Sequence, residues 1–325
     1  MMVHMVIICA LGAASQDVFL SGKGIRSQLD VTSNEYVEEF KLGAKLNVEN
    51  VIFATGGGAT NAAVTFSRQG LDASFIGRVG KDIAGHGVLS ELDDEHVNTS
   101  KVITDETQGT QYSTILLTET GERTILVYRG AAQAHTAEEY EHIDFKEFEW
   151  LYVSSFGGAF EALSIIFAHA KAAGVKIAFN PGQAELDKVD LLKGLLEDIE
   201  VLVMNKDEAA LVVEGGSSEE LARHLTHYAP VAVVSDGPNG VVATDGKTIV
   251  EAGMYEDVPV LDRTGAGDAF GSGFVSYYAQ GKSLKESVIF ASANSTSVVT
   301  KYGAKEGILH KDIVLHDMPI KEREF

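Results

Sequence analysis

The sequence predicts an α/β protein built on a mostly parallel central sheet with helices on both faces. Two observations carry this prediction: short runs rich in Val and Ile alternate with segments of helical periodicity, and the runs are apolar at nearly every position. Alternating strands and helices are typical of parallel βαβ units, and continuously apolar strands are typical of a sheet covered on both faces. The predicted strands are Met5–Leu11, Ala73–Ile76, Trp150–Val153, Val175–Phe179, Val201–Met204 and Val231–Val234.

The predicted helices are recognised by apolar residues at helical spacing and by the glycine that follows several of them. Ala159–Ala173 and Glu219–Tyr228 have the period of a helix with one buried face. Gly70, Gly174 and Gly281 stand just past such segments, where a glycine ends a helix in the left-handed conformation. We therefore expect helices to end directly before these three glycines.

Two stretches depart from this alternation and predict a small β appendage. They cover about residues 17–54 and 110–128 and contain strand-like pieces with polar connections. The pieces are Val18–Ser21, Val51–Phe53, Thr110–Leu117 and Arg123–Tyr128, the last two joined by the hairpin signal Glu119–Glu122. We expect residues 1–325 to form a single α/β domain into which both segments insert this appendage.

The composition is that of a folded protein that is not a general nucleic-acid binder. The chain has 325 residues, of which 45% are hydrophobic, and a net charge of −21. Contact with a phosphate backbone requires clustered Lys and Arg, whereas this chain is strongly acidic. No apolar run approaches the ~18 residues that predict a transmembrane helix. We therefore expect a cytoplasmic protein with neither a nucleic-acid nor a membrane partner.

The cysteine and histidine content predicts no transition-metal site. Cys9 is the only cysteine, so no internal disulfide forms, and the ten histidines lack ligand spacing. The apolar run around Cys9 predicts a first strand rather than a signal peptide, with the thiol packed in the core.

Residues 262–270 carry the strongest functional signal. They read Asp-Arg-Thr-Gly-Ala-Gly-Asp-Ala-Phe, and Asp268 is the only charged residue from Gly265 to Gly281. Glycines at the start of a buried helix leave backbone N–H groups accessible to an anion. A carboxylate beside an anion site suits a general base that accepts a proton from an attacking hydroxyl. The structural alternative is that Thr264 caps the helix and Asp268 only stabilises its dipole.

A second glycine-rich stretch, residues 54–67, contains no charged residue. Gly56, Gly57 and Gly58 open a predicted helix and let a ligand approach the backbone. Asn61 offers both a hydrogen-bond donor and an acceptor. A plain turn with close helix packing is the structural alternative.

These two motifs, in this order, resemble the signatures of the ribokinase-like (PfkB) family of carbohydrate kinases. Residues 56–61 look like the family's N-terminal Gly-Gly signature, and residues 262–268 look like its C-terminal signature. Further segments match along nearly the whole chain: Gly77–Asp82 with Gly85, Asn180–Gly182, Asn205–Glu208 and Ser235–Gly240. The resemblance implies a ribokinase-like fold with the β appendage as a lid, and a kinase that uses ATP and Mg²⁺.

The resemblance assigns the transfer chemistry to the C-terminal signature. Asp268 would be the base that takes the proton from the acceptor hydroxyl. The N–H groups of Gly265, Ala266 and Gly267 would stabilise negative charge on the transferred phosphoryl group.

The resemblance also implies contacts for the nucleotide and its cations. The residues implied to contact ATP are Asn205, Glu208, Ser235, Gly237, Gly240 and Asn294. Glu208 would reach Mg²⁺ through water, and the Asp262 carboxylate with carbonyls near Thr264 and Gly303 would hold a monovalent cation such as K⁺.

Two of these assignments have structural alternatives. Asn205 followed three residues later by Glu208 is the pattern of a capping box. Gly237 and Gly240 are equally compatible with a tight hairpin that precedes the last strands.

The implied acceptor site combines the glycine loop with an early carboxylate. By resemblance, Asp17 would bind two sugar hydroxyls, because a carboxylate accepts from both, and Arg129 would meet a carboxylate or phosphate of the acceptor. The other implied contacts are Gly56, Gly57, Gly58 and Asn61. The structural alternatives are a solvated Asp17 and a surface Arg129. Ribokinase itself has Asn where this chain has Ser15, Lys where it has Gly58, and a Glu within the segment matching 152–158, so ribose is not implied.

The expected function is transfer of the ATP γ-phosphate to a hydroxyl of a small sugar or sugar-like acceptor. A nucleoside kinase of the same family, or a non-catalytic sugar-binding or regulatory protein on this fold, is the alternative. The non-catalytic reading predicts a damaged base or anion site, yet Gly265, Gly267 and Asp268 are present. A dinucleotide dehydrogenase is disfavoured because residues 12–16 lack the Gly-x-Gly-x-x-Gly motif. The exposed sheet of the lid predicts a homodimer.

Overall fold

A computed structural model describes residues 4–118, 122–253, 255 and 258–325. Its strands are β1 Ile7–Leu11, β2 Ser15–Ser21, β3 Ser27–Asp30, β4 Glu35–Glu38, β5 Asn50–Gly56, β6 Asp72–Ile76, β7 Arg78–Gly80, β8 Ile103–Asp105, β9 Gln111–Leu117, β10 Arg123–Tyr128, β11 Trp150–Val153, β12 Lys176–Phe179, β13 Val201–Asn205, β14 Val231–Ser235, β15 Val241–Thr244, β16 Thr248–Ala252 and β17 Ile320–Glu324.

The α-helices follow the strands in the alternation that the sequence predicts. They are α1 Gly58–Arg68, α2 Ile83–Asp94, α3 Phe160–Ala173, α4 Gln183–Leu186, α5 Val189–Leu195, α6 Lys206–Val212, α7 Ser218–Leu225, α8 Ala266–Ala279 and α9 Leu284–Val298. Gly70, Gly174 and Gly281 adopt φ of 78°, 73° and 77°, so the predicted left-handed ends are confirmed. None of the helices in the described ranges is long and apolar enough to cross a membrane.

The central sheet has nine strands in the order β17-β16-β15-β14-β13-β12-β11-β1-β6. Every pairing from β6 to β14 is parallel, and all six predicted strands lie in this part of the sheet. Strands β15, β16 and β17 continue it in antiparallel pairings. Strand β17 was not predicted, because Ile320–Glu324 is mostly charged and exposed and carries no apolar run.

Both faces of the central sheet are covered by helices. Phe66 of α1, Phe274 of α8 and Val288 of α9 belong to the core on one face. Leu163 of α3 and Leu221 of α7 belong to the core on the other. The predicted α/β class with helices on both faces is confirmed. The helix predicted over 219–228 ends earlier, at Leu225.

A second sheet of four strands, in the order β10-β9-β2-β5, joins the two chain segments of the predicted appendage. Strand β2 pairs antiparallel with β5 and parallel with β9, which pairs antiparallel with β10. Strands β3 and β4 form a separate hairpin. The predicted turn over 119–122 lies outside the described residues except for Glu122.

Candidate active site

The N-terminus of α8 is shaped by glycine rather than by a capping side chain. Gly265 precedes the helix with φ of 77°, and no side chain caps it. A Cβ at Gly265 would lie 2.3 Å from the Cβ of Ala304, so only glycine allows this close approach. The interpretation of Thr264 as the N-cap is wrong, because its hydroxyl donates instead to Oδ1 of Asp262 at 2.7 Å.

The first turn of α8 presents the predicted anion-site residues together. A Cβ at Gly267 would meet no atom within 4 Å, so this backbone borders open space. The N–H of Ala266 donates to the carbonyl of Arg263 at 3.3 Å, a long bond that occupies one of the three predicted donors. Asp268 is the acidic residue of this turn.

Asp268 joins the two glycine-rich motifs. Its Oδ2 accepts a hydrogen bond of 2.8 Å from Nδ2 of Asn61, which lies in α1. Burial of the carboxyl raises the pKa of Asp268, and the charge of Asp17 raises it further, while Asn61 and Lys305 lower it. A carboxylate with a raised pKa, held by a directional hydrogen bond, suits a general base.

The glycine-rich loop of residues 56–58 and the carboxylate of Asp17 lie beside Asp268. Strand β5 ends at Gly56, and a Cβ there would lie only 2.3 Å from Oδ2 of Asp17. Asp17 is buried, so the solvated alternative is wrong. Burial raises the pKa of its carboxyl, and the hydroxyls of Ser113 and Ser15 lower it by hydrogen bonding. Ser113 was not predicted, because only the pairing of β2 with β9 brings it to Asp17.

The loop at the start of α1 is packed rather than open. Gly57 precedes α1 with φ of 100°. A Cβ at Gly57 would lie 2.3 Å from the carbonyl oxygen of Ala13, and one at Gly58 would lie 3.2 Å from Oδ1 of Asp268. The close-packing interpretation and the site interpretation of this loop therefore hold together.

A small cavity of about 160 Å³ lies on the other side of the α8 N-terminus. Residues of the predicted nucleotide turn and of the predicted anion site line it together: Ser235, Gly237, Gly240, Ala266 and Gly267. The cavity also touches Ser292, Ser295 and Thr296 of α9, which the sequence did not single out. A larger cavity of about 610 Å³ shares Thr296 and includes Val258, Leu309 and Leu315 in its wall.

Asn294, predicted to contact the nucleotide, does not line either cavity. It is fully buried, its Nδ2 donates to the carbonyl of Ala269, and its Oδ1 accepts from the N–H of Leu309. These bonds tie α9 to α8 and to the chain that follows α9. The side chain therefore holds the two helices in register beneath the cavity.

Asn205 and Glu208 form the capping box of α6. Oδ1 of Asn205 accepts from the N–H of Glu208 at 2.9 Å, and Oε2 of Glu208 accepts from the N–H of Asn205 at 2.8 Å. Burial raises the pKa of Glu208, and the charges of Asp207 and Asp268 raise it too, while the backbone N–H of Asn205 lowers it. The structural alternative is thus confirmed, and the second carboxylate oxygen stays outside the box.

The three residues implied to hold a monovalent cation are joined by hydrogen bonds. Asp262 is buried; its Oδ1 accepts from the N–H and hydroxyl of Thr264, and its Oδ2 accepts from the N–H of Gly303 at 3.0 Å. Nη1 of Arg123, on strand β10 of the second sheet, lies 3.9 Å from Oδ1 of Asp262. This arginine links the second sheet to the C-terminal signature.

Arg129, predicted to meet the acceptor, is exposed and stands after β10. Its side chain has no hydrogen bond or ion pair with any described residue. The structure thus brings Arg123, not Arg129, to the signature residues. The alternation of side chains along β10 could have signalled this, since Arg123 lies on the same face as Ile125 and Val127.

Lys305 is a buried cation that sequence reasoning missed. Its ammonium bonds the hydroxyl of Thr55 and lies 3.9 Å from Oε2 of Glu91. Burial lowers the pKa of Lys305 to about 8, and the charges of Glu91 and Asp17 oppose that shift. Lys305 also lines a cavity of about 520 Å³ beside β5.

A buried carboxylate in the first turn of a helix, with a glycine-rich loop on one side and a small cavity on the other, is the arrangement expected of a small-molecule phosphotransferase of the α/β class. The pfkB family carbohydrate kinase model matches residues 29–311. The chain belongs to the pfkB family of carbohydrate kinases, and it is an ATP-dependent carbohydrate kinase. The resemblance of the two motifs is thereby confirmed.

Curated relatives and solved structures agree with this family. A ribokinase of Haemophilus influenzae is 27% identical over 278 residues, 82% of this chain and 88% of the relative. A fructokinase of Vibrio alginolyticus is 30% identical over 258 residues, 73% of this chain and 81% of the relative. The structure of adenosine kinase from Sinorhizobium meliloti superposes with a TM-score of 0.75 at 21% identity, covering 93% of this chain and 96% of that one. The ribokinase-like fold is confirmed.

Proposed function

We propose that the chain moves the γ-phosphate of ATP to a hydroxyl of a small sugar or sugar-like acceptor, with Asp268 as the base. The observation that carries the proposal is the position of this carboxylate. Asn61 of the acceptor loop bonds it on one side, and the two residues before it, Ala266 and Gly267, line the small cavity on the other. An attacking hydroxyl and a phosphoryl group therefore meet at Asp268.

Phosphoryl transfer forms one bond to the γ-phosphorus and breaks another. Asp268 takes the proton of the acceptor hydroxyl while that oxygen forms a bond to the γ-phosphorus. The bond from this phosphorus to the β–γ bridging oxygen breaks, and ADP leaves with the electron pair. The backbone N–H groups from Gly265 to Gly267 stabilise the charge that develops on the phosphoryl oxygens, aided by the positive end of the α8 dipole.

The acceptor is held by Asp17 and by the loop of Gly56, Gly57 and Gly58, with Asn61 beside the reacting hydroxyl. A carboxylate accepts hydrogen bonds from two hydroxyls at once, which suits a polyol. The buried position of Asp17, bonded by Ser15, supports this role because it holds the carboxylate in one orientation.

The nucleotide phosphates occupy the cavity of Ser235, Gly237, Gly240 and Gly267, and the adenine ring extends toward the larger, more apolar cavity beyond Thr296. The residues present suit Mg²⁺, which keeps several waters and takes few carboxylates. No cluster of three or more His, Cys, Asp or Glu in the described ranges would cage a metal. Glu208 would hold Mg²⁺ through water, with Asn205 orienting it. Bound Mg²⁺ neutralises charge on the transferred phosphates.

Two further features belong to the proposed function. The network of Asp262, Thr264 and Gly303 supports a monovalent cation such as K⁺ beside the anion site. The sheet assembled from about 17–54 and 110–128 acts as a lid on a single domain, and its contact between Arg123 and Asp262 supports closure over the site. Exposed apolar side chains on its outer face, such as Phe53 and Leu126, support a homodimer.

Replacing Asp268 with Asn tests the proposed base. We expect turnover to fall by about 10²–10⁴-fold, because general-base catalysis contributes on that scale, while ATP still binds. ADP release should be measured over a panel of pentoses, hexoses, keto-sugar acids and nucleosides. Asp190→Asn is the matched control, since Asp190 is also in the first turn of a helix, α5. Near-normal turnover of Asp268→Asn would refute the assignment.

A nucleoside acceptor is the second candidate, because the lid surface above the site carries apolar side chains. Ser113 pairs with Val127 and Ile115 pairs with Ile125, so Val127 and Ile125 share the face of Asp17. These two side chains are 46% and 44% exposed. A flat base would cover them, whereas a simple sugar would not. ADP release with nucleosides alone in the panel would establish this candidate over a sugar.

A further inference from the structure

Two buried polar atoms lie next to the proposed base without a hydrogen-bond partner among the described residues. They are Oδ1 of Asn61 and the hydroxyl of Tyr152. Asn61 is 2% exposed and Tyr152 is 1% exposed, so neither group faces the cleft. Buried polar groups without a partner are rare because they give up their bonds to water. Their occurrence together, close to Asp268, requires a reason.

Tyr152 lies directly beneath the crossing of α1 and α8. Its ring packs edge-on against Phe66 of α1 at a centroid distance of 5.5 Å. A Cβ on Gly271, one turn after Asp268 in α8, would lie 2.7 Å from the Tyr152 hydroxyl. A phenylalanine at this position would keep the ring contact with Phe66. Packing alone therefore does not account for the hydroxyl.

The orientation of Asn61 leaves its amide oxygen directed away from the base. Its Nδ2 donates to Oδ2 of Asp268 at 2.8 Å, as an ionised carboxylate requires of its neighbour. The amide oxygen on the other side is an acceptor, and the Tyr152 hydroxyl is a donor. The two unpartnered groups are thus complementary.

We propose that Tyr152 is a positioning residue for Asp268: its hydroxyl donates through one buried water to Oδ1 of Asn61, and this bond holds the Asn61 amide against the carboxylate. A buried water makes two to four hydrogen bonds, and these two groups supply one acceptor and one donor. The inference rests on the proposed role of Asp268 as the base. It adds a residue from β11 to the surroundings of Asp268, beside the first turns of α1 and α8.

The consequence for Asp268 follows from hydrogen-bond cooperativity. A donor on the amide oxygen polarises the amide and strengthens its N–H bond to the carboxylate, which favours the ionised form. Two other titratable groups act on the pKa of Asp268: Asp17 raises it and Lys305 lowers it. Asp268 in turn raises the pKa of Glu208. Removing the Tyr152 hydroxyl leaves these charges in place.

Tyr152→Phe removes the hydroxyl alone and tests the proposal. We expect kcat to fall about three- to tenfold, the effect of one net hydrogen bond, with the acceptor KM unchanged. Catalysis requires ionised Asp268, so activity is lost as pH falls through its pKa. A weaker bond from Asn61 raises that pKa, and the acidic limb of the kcat profile should move to higher pH.

Tyr140→Phe is the matched control, because Tyr140 is also fully buried but its hydroxyl bonds His135, in the core on the opposite face of the sheet. It should leave the acidic limb in place. Melting temperatures of both variants show whether folding is intact. An unmoved limb in Tyr152→Phe, or an effect confined to KM, would overturn the proposal.

A double-mutant cycle separates action through Asn61 from a direct effect. In an Asn61→Ala background, adding Tyr152→Phe should not move the acidic limb further. An additional shift there would overturn the proposal. The Asp268→Asn variant separates the two levels: if it stays active, the proposed base is wrong, and if it is inactive while Tyr152→Phe is normal, only the role of Tyr152 is wrong.

Discussion

The helices α1 and α8 begin with the same kind of sequence for different physical reasons. Each follows a glycine with positive φ, 100° at Gly57 and 77° at Gly265, and neither has a capping side chain. The first turn of α1 is buried, and its glycine is needed because Ala13 lies against it. The first turn of α8 contains Gly267, which faces open space. Glycine allows chain packing in one motif and ligand approach in the other.

The largest expected effect is a loss of stability when Gly57, the glycine before α1, is replaced. Gly57→Ala places a Cβ 2.3 Å from the carbonyl oxygen of Ala13 and forces a side chain into a conformation that favours glycine. We expect the free energy of unfolding to fall by about 2–5 kcal/mol from backbone strain and overpacking. Urea unfolding measures this. A variant as stable as the parent would break the comparison.

An intermediate effect, on rate rather than stability, is expected at Gly267. Gly267→Ala should unfold at the same or a higher denaturant concentration, because Ala favours a helix by about 1 kcal/mol over Gly. Its methyl group would occupy the space of the transferred phosphoryl group, and we expect kcat/KM for ATP to fall by about 10- to 100-fold. Steady-state kinetics tests the expected loss of kcat/KM, and urea unfolding tests the expected stability. Unchanged kinetics would contradict a phosphate position at this helix.

The smallest expected effect concerns salt. If backbone N–H groups and Mg²⁺ receive the phosphates, little of the attraction comes from exposed cations, in spite of the net charge of −21. We expect the KM for ATP to change less than about twofold between about 50 and about 200 mM salt at fixed free Mg²⁺. A steep rise would indicate that side-chain cations, such as Arg123, contribute most of the attraction.

The sequence predicted the parts of the site that depend on local pattern. Asp268 and the glycines around it could be identified because a lone charge at the start of an apolar helix is a local signal. The capping box of Asn205 and Glu208 is local as well. The six parallel strands were predicted for the same reason, since each is a continuous apolar run.

The parts that were missed depend on contacts between distant segments. Ser113 reaches Asp17 only through the pairing of β2 with β9, and Lys305 reaches Thr55 across 250 residues of chain. The proposed role of the Tyr152 hydroxyl depends on the crossing of two helices above it, which are distant in sequence. Asn294, predicted to contact the nucleotide, bonds Ala269 of α8 instead of lining the cavity, and one sequence does not show which face of α9 is buried.

The connection between the second sheet and the glycine-rich loop of residues 56–58 limits how segments of this enzyme can be exchanged with those of a relative. Ser15, the first residue of β2, pairs directly with Gly56, the last residue of β5, and α1 starts two residues later, at Gly58. Strand β5, which pairs with the strand that carries Asp17, runs into the helix that carries Asn61 with only Gly57 between them. A chimera that imports the second sheet of a relative therefore also imports the residue at position 17, one of the proposed acceptor contacts. If the proposed roles hold, lid closure and acceptor preference are inherited together, and a library that varies them independently needs its crossover points inside the site itself.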